Sequence, residues 1–146
     1  MSTERRNPRS VDIDLFPTER ILRIINAEDA LVSRAVGEAV PSITRAVDFA
    51  VEAIRSGGRI VYVGAGTSGR IAAQDAAECP TTFSAPPEWI EVIMAGGAKA
   101  LARGVEGAED EPAKASADLK ARKISGRDFV IGIAASGKTP YTLAAL

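Results

Sequence analysis

The chain has no histidine and a single cysteine, Cys79, among its 146 residues. The missing histidine removes the Ser-His-Asp triad, the Cys-His pair and every His-ligated metal site. A lone cysteine excludes an internal disulfide framework and a cysteine-clustered metal site, so no metal is expected. Acid–base chemistry then falls to carboxylates, Lys99, Tyr62 or Tyr141. No apolar run approaches the ~20 residues of a membrane span, and the charged N-terminus is not signal-like. A cytoplasmic protein with no membrane partner is expected. The net charge of −1 gives no general attraction to nucleic acid. Basic residues are scattered, apart from the group Arg5, Arg6 and Arg9.

A composition of 46% hydrophobic and 25% charged residues suits a soluble globular domain, and the length allows one real core. The most informative stretch is Val61-Tyr62-Val63-Gly64-Ala65-Gly66-Thr67-Ser68-Gly69-Arg70. A β-rich run enters glycines, then two hydroxyls, then a helical segment. That layout places free backbone N–H groups and two O–H donors at a helix N-terminus, where an anion is readily held.

Ahead of it, Met1 to Phe16 read as a polar, irregular arm. Pro17-Thr18 opens a helix, and a second helical stretch runs from about Asp29 to Ser56. Pro41 is expected to kink that stretch or break it in two, and Ser56-Gly57-Gly58 to stop it. Three β-rich runs follow, Arg59–Val63, Trp89–Met94 and Phe129–Ala134, with helical segments between them. Such alternation predicts an α/β fold with a parallel sheet. Each strand ends in small residues, and in a 2-1-3 strand order the loops after the first and third would flank a ligand crevice. The division expected is 1–56 for the arm and N-terminal helices, and 57–146 for the α/β part.

Gly64-x-Gly66-x-x-Gly69 matches a dinucleotide fingerprint, but its context argues against one. An acidic residue to hold the ribose belongs near the end of the second strand, and Met94-Ala95-Gly96-Gly97 stands there. No Gly-Lys-Ser/Thr follows, so it is not a P-loop either. Ala135-Ser136-Gly137-Lys138-Thr139-Pro140 repeats the hydroxyl-rich device after the third strand. Gly66, Thr67, Ser68, Ser136, Gly137 and Thr139 together suggest a two-part site for a phosphorylated small molecule. Asp75 and Glu78 follow the first loop. Cys79-Pro80 is expected to end that helix and let Glu78 turn into the crevice. Glu106, Glu109, Asp110 and Glu111 cluster after the second strand, where spacing alone assigns no role.

Four ordered motifs carry a resemblance across essentially the whole chain. They are Gly64–Arg70, Glu78-Cys79-Pro80-Thr81-Thr82-Phe83, Val105-Glu106-Gly107-Ala108-Glu109-Asp110 and Ile133–Tyr141. With the opening Thr3-Glu4-Arg5-Arg6-Asn7-Pro8, the chain resembles the N-acetylmuramic acid 6-phosphate etherases of the sugar isomerase (SIS) superfamily. The resemblance implies a three-layer αβα fold and a lyase that removes D-lactate from the sugar's 3-position without a cofactor. It implies Glu78 as the acid on the departing oxygen, Glu109 as a second catalytic carboxylate, and a homodimer. The related regulator of glucokinase shares the fold, so sugar-phosphate binding without catalysis is the alternative. Enzymes of this family are about twice as long, and the chain is expected to be the first half of one.

Overall fold

The computed structural model describes residues 5–146, so Thr3 and Glu4 of the opening motif lie outside the described residues. The chain divides into two compact units, Met1–Asp48 and Phe49–Leu146. The first holds two short 3-10 turns, Pro8–Ser10 and Ile13–Leu15, and most of helix α1, Thr18–Arg55, whose residues from Phe49 on belong to the second. The Asn7 side chain caps the first turn by accepting from Arg9 N–H at 2.9 Å. Arg9 pairs with Glu28 at 2.9 Å, and the Arg20 guanidinium lies 3.5 Å over the Phe16 ring.

Helix α1 runs through Pro41 as one helix, so of the two expected outcomes the break does not occur. Proline removes the bond to the carbonyl four residues back, here Gly37. Both residues are exposed, so that carbonyl is open to solvent and its lost bond costs little. The helix ends as Ser56-Gly57-Gly58 foretells. Gly57 adopts φ +76°. Its N–H donates to Ile54 at 3.1 Å, and Gly58 N–H donates to Ala53 at 2.8 Å. These two bonds form a Schellman motif.

The second unit is a parallel sheet with helices on both faces. Strand β1, Ile60–Gly64, lies between β2, Ile90–Met94, and β3, Phe129–Ile133, in the order β2-β1-β3. Ile60 is in register with Ile90 and Phe129, and Val63 with Ile93 and Gly132. Helix α2, Gly66–Phe83, returns from β1 towards β2. The four-residue α3, Lys99–Ala102, and α4, Pro112–Ala121, follow β2, and α5, Pro140–Ala144, follows β3. These are the α/β fold and the parallel sheet that the sequence predicts, and the strand order is the 2-1-3 arrangement in which the loops after β1 and β3 are neighbours.

The register sorts the two faces. Val61 and Val63, both 0% exposed, join Ile93 and Val130 beneath Ala115 of α4 and Tyr141 and Ala145 beside α4. Ile60, Tyr62 and Met94 point the opposite way, where Phe49 stacks on Phe129 with ring centroids 6.0 Å apart. At the strands' starting ends, Arg59 binds Asp128 through its backbone N–H at 2.9 Å and Nε at 3.1 Å. Arg59 and Arg122 both pair with Glu91 there. This ionic floor leaves the carboxyl ends of the strands for the site.

Candidate functional site

The three glycines of the first loop have two jobs. A Cβ on Gly64 would come within 2.9 Å of Gly69 N and 3.2 Å of Ile133 O, and one on Gly69 within 3.0 Å of Gly64 O. Gly64 and Gly69 therefore let the first turn of α2 sit directly on the ends of β1 and β3. Gly66, at φ +54°, makes the left-handed turn into the helix. Gly69 N–H bonds Ala65 at 3.3 Å, and the N–H groups of Gly66, Thr67 and Ser68 before it have no intrahelical acceptor. They point out of the positive end of an 18-residue helix.

A cavity of about 450 Å³ opens at this end. Its walls are Ala65, Gly66, Thr67 and Arg70 from the start of α2, Ala95 and Ala100 around the turn after β2, and the segment 104–109. Gly96, at φ +83°, makes that turn, and a Cβ there would meet Val105 Cβ at 3.0 Å. In the 104–109 segment Gly107 takes φ +74°, which starts the 3-10 turn Ala108–Asp110. Ala108 is 6% exposed and belongs to the core. Anchored there, the segment leaves its neighbour Glu109 exposed on the cavity wall.

The cavity therefore unites Gly66, Thr67 and Glu109. Ser68 lies beside them, half-buried on α2 but not on the wall. Ser136, Gly137 and Thr139 sit at the end of the adjacent strand β3 and do not line it. Ser136 Oγ accepts from Lys138 N–H at 3.1 Å, Gly137 turns at φ +64°, and Thr139 precedes α5.

Glu78 is placed elsewhere. Helix α2 continues through Cys79 and Pro80 to Phe83, so the expected stop is absent. Pro80 is tolerated because it falls in the last turn and frees only the Ala76 carbonyl. Glu78 is exposed on that helix and accepts from Gln74 Nε2 at 3.1 Å. Twelve residues after Gly66, it stands about 18 Å further along the helix axis. Cys79 next to it is half-buried, its thiol pushed up by burial and by the Asp75 and Glu78 carboxylates.

Neither tyrosine reaches the cavity. Tyr62 O–H donates to Asp75 at 2.9 Å, and burial followed by that bond pushes its pKa up to about 12. Tyr141 is 0% exposed and donates to Asp118 at 2.7 Å, with burial again the first cause of its raised pKa. Lys99 starts α3, exposed and off the cavity wall. Arg70 and Glu106 are charged wall residues to which the sequence assigned no role, and Arg70 is the cation of the two. Its spacing was the available signal, since i+3 and i+4 from Thr67 and Gly66 place it on their side of the helix.

Residues 42–146 match the model of the glucokinase regulatory protein N-terminal SIS domain. The chain belongs to the SIS family. Its β2-β1-β3 sheet and α2 are thus parts of a SIS domain. The chain is also similar to proteins named N-acetylmuramic acid 6-phosphate etherase. One from Bacillus licheniformis is 55% identical over 146 residues, 100% of this chain and 48% of that protein. One from Glaesserella parasuis is 50% identical over 144 residues, 99% of the chain and 47% of the relative. One from Aeromonas hydrophila is 50% identical over 146 residues, 100% of the chain and 49% of the relative. The chain spans about half the length of these relatives. No helix among the described residues is long and apolar enough to cross a membrane.

Proposed function

We propose that the protein is a carbon–oxygen lyase that cleaves the lactyl ether of N-acetylmuramic acid 6-phosphate, in amino sugar recycling. The observation that carries this is one cavity holding the Glu109 carboxylate, which has no ion-pair partner among the described residues, beside the N-terminus of α2. The identity to named etherases supplies the substrate.

In the open-chain sugar, the proton on C2 is acidified by the C1 carbonyl. Glu109 takes that proton, the C3–O bond breaks, and the lactyl oxygen leaves with a proton from an acid. Water then adds across the C2–C3 double bond, hydroxyl to C3 and proton to C2, giving N-acetylglucosamine 6-phosphate and D-lactate. No step calls for a redox cofactor. The first N–H groups of α2 with Thr67 and Ser68 hold the phosphate, and Ser136, Gly137 and Thr139 close the site from β3. Glu78 is the proposed acid. It stands outside the Glu109 cavity, so its part rests on the family resemblance. The protein is taken as a cytoplasmic homodimer, with the SIS domain starting near residue 57.

Glu109→Gln is expected to lower D-lactate release by about 10²–10⁴-fold while sugar-phosphate binding persists. Glu78→Gln should behave alike, and unchanged release by either variant removes that residue from the chemistry. The match to a regulatory protein's domain favours one second reading, a sugar-phosphate sensor. Binding of the substrate with no lactate released by the wild type would establish that reading instead.

A further inference from the structure

The cavity wall contains two carboxylates, Glu106 and Glu109, and one cation, Arg70. Arg70 is half-buried, and its Nε–H donates to the carbonyl oxygens of Ala100 at 3.1 Å and Leu101 at 3.2 Å. Those carbonyls belong to α3, so one edge of the guanidinium is fixed by backbone. Its two terminal NH₂ groups have no hydrogen-bond or ion-pair partner among the described residues. A fixed guanidinium with free terminal donors is a fork matched to a carboxylate or a phosphate.

The proposed substrate carries both anions. Its phosphate is shared with the product, N-acetylglucosamine 6-phosphate, whereas its lactyl carboxylate is lost in the reaction. The phosphate already has the α2 N-terminus and two hydroxyls. The carboxylate needs a partner of its own, in a cavity where two glutamates would otherwise repel it. Glu109 is proposed to act at C2, and the lactyl oxygen is on C3, the next carbon. The carboxylate therefore falls in the cavity that Glu109 and Arg70 share.

Resting on the lyase reading, we propose that Arg70 binds the carboxylate of the 3-O-lactyl group and so distinguishes substrate from product. The test compares wild type, Arg70→Gln and Arg70→Lys. For each, KM for N-acetylmuramic acid 6-phosphate and Ki for N-acetylglucosamine 6-phosphate are measured. Arg70→Gln should raise KM about tenfold or more, with Ki changed less than about twofold, because a charge-assisted bond is lost from the substrate alone. Arg70→Lys should recover part of the loss, since a point charge replaces the fork. A merely structural role would weaken substrate and product together. A parallel rise of KM and Ki, or no change in either, overturns the proposal. If the wild type releases no D-lactate, the lyase reading falls separately. Calorimetric Kd values for the same two compounds then decide the role of Arg70.

Discussion

Asp128 has 5% of its side chain exposed, yet it carries a full charge. Burial pushes its pKa up, but the bonds from Arg59 and from Ser125 N–H outweigh that and hold it below the ordinary carboxylate value. The stabilisation is complete above the unfolded pKa of about 4 and is lost as pH falls through the lower native value. Asp128→Asn should cost about 2–4 kcal/mol at neutral pH, because it leaves Arg59 without its main partner. Denaturant titrations between about pH 6 and pH 3 should show the wild type losing stability on acidification and the variant losing less. An equal slope in both would remove Asp128 from the acid response. Such pairings were not legible in the sequence. Arg59 and Asp128 are 69 positions apart, Tyr141 and Asp118 are 23 apart, and only the sheet and its helices bring them together. Glu109 and Thr67 could be singled out by motif, but the cavity that joins them depends on a core alanine and two left-handed glycines.

Elements were more legible than pairings. Alternation of β-rich and helical runs located each strand to within one residue at its ends. Pro80 does not end its helix and Pro41 does not break its own, for a common reason. Each lies where the carbonyl it orphans costs little, and no spacing rule reports exposure or nearness to a helix end. The glycine loop after β1 offers a sharp contrast between neighbours. Gly64→Ala drives a methyl into the backbone of Gly69 and Ile133, which cannot yield like a side chain. A loss of about 2–3 kcal/mol in urea unfolding is expected. Gly66→Ala meets nothing within 4 Å, so its cost is the left-handed backbone alone, about 1 kcal/mol. Equal losses would mean that the loop is held by conformation rather than by packing.

At the scale of the molecule, β2 and β3 are the two edges of the sheet. Strand β3 reads Phe-Val-Ile-Gly-Ile with no charge, a composition that invites pairing with another strand. Ile131→Lys should reduce concentration-dependent association of this chain in sedimentation velocity, by placing a charge on that edge. Association unchanged by the substitution would locate the sticky surface elsewhere.

The sheet order also has a meaning in time. Val61 and Val63, the most deeply buried strand residues, belong to the strand that is synthesised first. The bond from Arg59, just before that strand, to Asp128, just before β3, spans 69 positions. At ribosomal rates of about 5–20 residues per second, that stretch takes roughly 3–14 s to make. For those seconds what will become the middle of the sheet has no β3 beside it and is an open margin.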